Sequence, residues 1–156
     1  MKFPDARILY AEDDADTRDL VTVIFESQNC QVVATEIHDE ALHLARTECF
    51  DLYLIDNWLP GFSGVMLCEQ LREFDQHTPV LFYSAAAYEA DRERALLSGA
   101  QGYLVKPVDG DVLVAAVFRL ISASRRSLMK TIWPRMSADE TDLKRARAAF
   151  TCDKSV

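Results

Sequence analysis

Five short apolar runs recur along the first 125 residues, each handing over to a segment of helical spacing, and this alternation restricts the chain to very few folds. Ile8-Leu9-Tyr10-Ala11 is the first run, and it stops abruptly at Glu12-Asp13-Asp14. Val32-Val33-Ala34 is the second. Asp51-Leu52-Tyr53-Leu54-Ile55-Asp56 finishes on a carboxylate, Pro79-Val80-Leu81-Phe82-Tyr83 finishes at Ser84, and Gly102-Tyr103-Leu104-Val105 runs into Lys106-Pro107. Between them, Leu20, Val21, Ile24 and Phe25 have helical spacing. Asp39 is placed to cap a helix bearing Ala41, Leu42 and Ala45. After the Pro60-Gly61 break, Ser63 is placed to cap a third helix with Val65, Met66, Leu67 and Leu71. A fourth passes through Arg92, Ala95, Leu96 and Leu97 and stops at Gly99, and Asp109 opens a last helix running to about Arg125. Units of this kind predict an α/β fold: a doubly wound, five-stranded parallel sheet with five flanking helices.

The 156 residues suit one domain with a short appendage, and 49% hydrophobic against 27% charged residues is a globular balance. No stretch approaches ~18 consecutive apolar residues, which excludes a membrane span of that kind. Met1-Lys2-Phe3-Pro4-Asp5 lacks the apolar core of a signal peptide, so the expected location is the cytoplasm. Cys30, Cys49, Cys68 and Cys152 show no CxxC spacing and are expected as reduced thiols. The net charge of −8 argues against a DNA-binding surface. It is unevenly shared. Residues 1–121 hold nine Lys and Arg against 21 Asp and Glu, while residues 122–156 hold eight against four, so an acidic body carries a basic tail.

In doubly wound sheets the binding crevice lies beyond the strands' carboxyl ends. Glu12, Asp13, Asp56, Ser84 and Lys106 all fall there. Taken singly, a strand-end Asp is most often a helix cap and a Lys is usually solvated; five such residues on one edge are a site. Clustered carboxylates repel unless a cation sits among them, and an oxygen-only donor set selects a hard ion such as Mg²⁺ over zinc. A lysine and a small hydroxyl opposite supply partners for phosphoryl oxygens. The arrangement suits phosphoryl transfer onto a carboxylate. Asp56 is the best nucleophile, being central and exposed by the turn Asn57-Trp58-Leu59-Pro60-Gly61, and the backbone carbonyl of Trp58 offers one more oxygen to a metal. His38, His43 and His77 read as surface residues away from this edge. No Gly-rich phosphate loop, Ser-His-Asp order or dinucleotide fingerprint is present.

The chain resembles the receiver domains of response regulators in two-component signalling. The resemblance is carried by Ile8-Leu9-Tyr10-Ala11-Glu12-Asp13-Asp14, Phe50-Asp51-Leu52-Tyr53-Leu54-Ile55-Asp56 with Leu59-Pro60-Gly61, Pro79-Val80-Leu81-Phe82-Tyr83-Ser84-Ala85, and Gly99-Ala100-Gln101-Gly102-Tyr103-Leu104-Val105-Lys106-Pro107. It covers roughly residues 6–122. It implies a flavodoxin-like sheet and a phosphoryl group accepted by Asp56 from a sensor histidine kinase or phosphotransfer protein. It further implies Mg²⁺ held by Asp13, Asp56 and the Trp58 carbonyl with help from Glu12, a switch formed by Ser84 and Tyr103, phosphoryl contact by Lys106, and a cis Lys106–Pro107 peptide. The surface of the fourth helix, fifth strand and fifth helix would then change and bind a target. Under this resemblance residues 1–122 form the receiver and 123–156 a basic extension.

The chain departs from the family pattern in three places. Trp58 is bulky beside the path of attacking water; it is either a surface aromatic with only a backbone role or a shield for the acyl phosphate. Val112 through Ile121 is apolar on nearly all sides, and Gln101, Ala116 and Phe118 do not supply the charges with which winged-helix regulators pair; a hydrophobic interface, between subunits or with the tail, fits better. The tail is too short for an output domain. Trp133-Pro134 interrupts it, and 137–150 reads as a short helix opened by a Ser137/Glu140 capping box, with Leu143, Ala146 and Phe150 on one stripe. A docking helix for self-association or for the acidic body accounts for it better than nucleic acid does. Three readings therefore compete with a stand-alone phosphoreceiver: a fragment of a longer regulator, an aspartyl-phosphate phosphatase, and a scaffold that no longer uses phosphate. The phosphatase class needs a second acid two residues after its nucleophile, where this chain has Trp58.

Overall fold

Residues 5–132 are described by the computed structural model. Five parallel strands, β1 (Arg7–Ala11), β2 (Gln31–Thr35), β3 (Leu52–Ile55), β6 (Val80–Ser84) and β7 (Gly102–Val105), form one sheet in the order β2-β1-β3-β6-β7. A small antiparallel hairpin, β4 (Trp58–Leu59) with β5 (Phe62–Ser63), lies between β3 and the third helix. The helices are α1 (Ala15–Glu26), α2 (His38–Thr47), α3 (Gly64–Phe74), α4 (Glu89–Leu97) and α5 (Gly110–Ile132). The expected doubly wound α/β sheet is the observed one.

Side-chain alternation explains why both faces are covered. Leu9, Ala11, Tyr53, Ile55, Val80 and Phe82 point to one side, where they pack with Ala41 and Leu42 of α2, Leu67 and Leu71 of α3, and Ala95 of α4. Ile8, Tyr10, Leu52, Leu54, Leu81 and Tyr83 point to the other, against Val21 and Phe25 of α1 and Leu113, Val117 and Ile121 of α5. Ala116 and Phe118 belong to this second core and are buried, not displayed on the outer surface of α5. The strand order reverses at β1 and β3, so the ends of these two strands open the crevice.

Side chains cap the starts of α1 and α3, whereas α2 and α4 begin without a side-chain cap. The Asp14 carboxylate accepts from Thr17 N and caps α1, and Ser63 Oγ accepts from Met66 N and caps α3. Asp39 is not a cap: α2 begins one residue earlier, with Ile37 at the cap position, and Asp39 sits in the first turn where it suits the helix dipole. Gly99 follows α4 at φ 111°, the left-handed position that favours glycine.

α5 continues past Arg125 to Ile132. Ser122 through Ser127 contains no Gly or Pro, and tertiary contacts hold it: Ser124 Oγ donates to His77 O at 3.3 Å and Arg125 pairs with Asp51 at 3.1 Å. The segment 137–150 lies outside the described residues. Cys30 and Cys68 are buried thiols, whereas Cys49 is disulfide-bonded, contrary to the expectation for all four cysteines. Among the described residues no helix is long and apolar enough to cross a membrane.

The end of the sheet opposite the crevice is fastened by Asp75. Its buried carboxylate accepts from Tyr53 Oη at 2.7 Å, Thr78 Oγ1 at 2.7 Å, Thr78 N at 3.0 Å and His77 N at 3.1 Å. Burial alone would raise its pKa, but the hydrogen bonds from Thr78, Tyr53 and His77 outweigh it and hold the acid below the ordinary carboxylate range. A depressed native pKa supports the fold above the unfolded value of about 3.9, and that support is lost as pH falls through the native value. Asp75→Asn is expected to cost about 2 kcal/mol at neutral pH. In urea titrations from pH 7 downward, the gap between wild type and variant stays constant above about pH 5 and closes below about pH 4.

Candidate functional site

Parallel strands deliver their last residues to one edge, and the side chains named from the sequence meet there. Glu12 and Asp13 follow β1, Asp56 follows β3, Ser84 closes β6 and Lys106 follows β7. Carboxylate oxygens of Glu12, Asp13 and Asp56 lie within 4.8 Å of one another. Glu12 and Asp56 are buried and Asp13 is exposed, so the cluster is a cup open on the Asp13 side.

Lys106 reaches across this cup. Its ammonium donates to Glu12 Oε2 and, at 3.2 Å, to Asp56 Oδ2. Burial alone would lower its pKa, but the hydrogen bond to Glu12 and the charges of Asp56 and Glu12 hold it above the ordinary lysine range. Burial pushes Glu12 up, the Lys106 hydrogen bond pulls it down, and the charge of Asp56 adds to the rise. One lysine faces three carboxylates, a local excess of negative charge suited to a divalent cation. The donor set contains only oxygens, which fits Mg²⁺.

Backbone groups fix the cup. Asp56 Oδ1 accepts from Trp58 N at 3.2 Å, and Glu12 Oε1 accepts from Asp14 N at 3.2 Å. Ser84 is fully buried and its Oγ accepts from Ala86 N at 3.3 Å. Tyr103 is half-buried, stacked on Phe82 with ring centroids 5.8 Å apart, and donates from its hydroxyl to Ala86 O at 2.6 Å. It therefore bonds to the same loop as Ser84. The Lys106–Pro107 peptide is cis, as expected. Trp58 is 62% exposed, on the hairpin beside Asp56.

Three further residues complete the site. Arg18 Nη1 donates to Glu12 O and Asp13 O, both at 2.9 Å, pinning the loop that carries the first two acids. Tyr10 Oη donates to Glu12 Oε2 at 3.0 Å, and Lys106 Nζ lies 5.3 Å from the Tyr83 ring centroid. Tyr10 is legible in principle, because it stands two residues before Glu12 on the same strand face. The Arg18 contact, by contrast, is made by a returning helix and leaves no sequence pattern. Of the histidines, His43 and His77 are exposed as expected, but His38 is half-buried, its ring 4.4 Å edge-on from Phe62. The loop hairpin folds back over the start of α2, a contact invisible from sequence.

Residues 8–118 match the response regulator receiver domain family. The phosphate regulon transcriptional regulatory protein PhoB of Escherichia coli is 37% identical over 121 residues, which cover 74% of this chain and 53% of PhoB. The transcriptional activator protein PfeR of Pseudomonas aeruginosa is 33% identical over 143 residues, covering 90% of this chain and 47% of PfeR. The chain thus spans about half the length of the curated relatives it matches. Among solved structures, a Francisella response regulator receiver domain aligns with a TM-score of 0.72 at 29% identity, covering 77% of this chain and 99% of that one. The receiver domain of a sensor histidine kinase from Pseudomonas aeruginosa PAO1, solved with a magnesium ion coordinated in its active-site cleft, aligns with a TM-score of 0.71 at 25% identity, covering 76% and 98%.

Proposed function

The chain belongs to the response regulator receiver domain family, and on that premise we propose that Asp56 accepts a phosphoryl group and thereby controls protein–protein contact. The observation that supports this most is the convergence of Glu12, Asp13 and Asp56 within 4.8 Å, with Lys106 bonded to Asp56. An Asp56 carboxylate oxygen attacks phosphorus; the bond from phosphorus to the donor's imidazole nitrogen breaks, and the imidazole leaves. Lys106 and the Ser84 hydroxyl then face the new phosphoryl oxygens. Mg²⁺, when bound by Asp13, Asp56 and the Trp58 carbonyl with Glu12 assisting, supplies neutralisation of the phosphoryl charge.

Receiver domains interact with histidine kinases or phosphotransfer proteins, and one of these is the proposed donor. The proposed output surface is α4, β7 and α5. Leu97 is 87% exposed there, and Leu96, Val105 and Val112 are exposed as well, an apolar surface for a target protein or a second subunit. Movement of Ser84 toward the phosphoryl group would pull on the loop to which Tyr103 is bonded, which links site to surface. Residues 1–122 are proposed as the receiver and 123–156 as its extension. A receiver cut from a longer regulator is a second reading, favoured by the half-length coverage of PhoB and PfeR.

Incubation with acetyl phosphate, with and without Mg²⁺, followed by intact-mass measurement tests the reading. Stable stoichiometric phosphoprotein that requires Mg²⁺ is expected; continuous turnover without accumulation would instead mark a phosphatase, and no labelling a scaffold. Trp58 is assigned as the shield of the acyl phosphate. Trp58→Asn is expected to shorten the phosphoprotein's lifetime about threefold, a barrier change of about 0.7 kcal/mol. An unchanged decay rate would reduce Trp58 to its backbone role.

A further inference from the structure

Beneath the acidic cup, Tyr10 has no part in the roles assigned so far. Its side chain is fully buried, Glu12 is 1% exposed, and the phenol donates to Glu12 Oε2 at 3.0 Å. Lys106 donates to that same oxygen. Glu12 Oε1 is held separately by Asp14 N. Two donors thus converge on one buried carboxylate oxygen, one on a fully buried ring and the other on a long, partly exposed side chain. Tyr10 is clamped within the core that α1 and α5 cover, whereas Lys106 is half-buried on a flexible stem, with its ammonium over the Tyr83 ring.

We propose that Tyr10 is a positioning residue that keeps the Glu12 carboxylate in place and partnered, so that Lys106 can leave Glu12 for the phosphoryl group arriving on Asp56. This rests on the phosphoreceiver reading. Lys106 already bridges Glu12 and Asp56, so its transfer needs a short swing. The swing would take away the ammonium bonded directly to a buried carboxylate, and a buried charge that loses a hydrogen-bonding partner is costly. The Tyr10 hydroxyl remains bonded throughout. Without this hydroxyl, Glu12 would retain Lys106 and the reaction would lose its cation.

Tyr10→Phe removes one oxygen and leaves the ring in the core. At saturating acetyl phosphate and Mg²⁺ the maximal labelling rate is expected to fall about tenfold, the lower end of what a hydrogen bond to a buried charge is worth. The half-saturating concentrations of donor and Mg²⁺ stay within about twofold, a split that mere loosening of the fold would not give. A double-mutant cycle by urea unfolding in EDTA supplies a readout without phosphate or metal. Tyr10→Phe should lower the unfolding free energy by the equivalent of about tenfold in the equilibrium constant when Glu12 is present, and by less than about twofold in the Glu12→Met background, which offers the phenol no oxygen. Equal effects in both backgrounds, or an unchanged maximal rate, overturn the proposal while leaving the phosphoreceiver reading intact. Wild-type protein that takes no phosphoryl group overturns both.

Discussion

Asp56→Asn is expected to reduce labelling by acetyl phosphate or a kinase to background, the largest functional loss any single substitution in this chain should cause. The amide nitrogen carries no lone pair free to attack phosphorus, and the amide oxygen is a far weaker nucleophile than a carboxylate. No other acid in the cup can take over. Glu12 is occupied on both oxygens by Tyr10, Lys106 and Asp14 N, and Asp13 sits at the exposed rim with no hydrogen bond to Lys106 among those formed. The variant should remain folded, because the oxygen of the new side-chain amide can still accept from Trp58 N, and Lys106 keeps Glu12 as a partner when its bond to position 56 weakens. Removing one of three crowded negative charges also relieves repulsion. A melting temperature within about 3 °C of wild type would show that lost labelling is chemical in origin. Full labelling of Asp56→Asn would remove Asp56 from the mechanism, whatever its geometry.

Much of this site is legible in the amino-acid order alone, for a definite physical reason. Parallel strands place their C-terminal residues on one edge whatever lies between them, so topology suffices to bring Glu12, Asp13, Asp56, Ser84 and Lys106 together. Strand alternation likewise sorts Leu9 and Ala11 from Ile8 and Tyr10 with no knowledge of partners. Contacts made by elements returning from elsewhere cannot be read this way. Arg18 on the loop carbonyls, His38 against Phe62, and Arg125 with Asp51 at the foot of α5 each depend on where a helix lands, which no local pattern encodes. The end of α5 shows the same limit. Its serine and arginine run has the composition of a linker, yet His77 and Asp51 give it partners and the helix continues. Ala116 and Phe118 fall on the buried side rather than at an interface because an almost wholly apolar helix offers no polar stripe from which to orient it.

The largest loss of stability should come from Gly64→Ala, at the join between the hairpin and α3. A Cβ built at Gly64 would stand 2.3 Å from the backbone oxygen of Asp56 and 2.8 Å from Ile55 Cγ2. Neither neighbour can give easily. The first is main chain at the end of β3, tied through Asp56 N to Ala11 O at 3.0 Å, and the second is buried in the core. Gly64 N also donates to Asn57 O at 2.9 Å, so the helix start cannot retreat without breaking that bond. Overpacking of this kind costs about 3 kcal/mol, which for a chain of this size lowers the melting temperature by about 6–12 °C. Gly61 is the internal comparison. Its φ of +76° penalises a side chain, but nothing lies within 4 Å of its Cβ position, so Gly61→Ala should cost only about 1 kcal/mol. The two also differ in what they do to chemistry. Pressure at Gly64 falls on the peptide that aims Asp56, so the folded fraction of Gly64→Ala should be labelled more slowly than wild type, whereas Gly61→Ala should be labelled at a near-normal rate. Urea unfolding read beside labelling at a temperature where both variants are folded separates the effects. Equal stability of the two would mean that the Asp56 peptide can move, and would overturn the premise that the crevice is rigidly built before phosphoryl transfer begins.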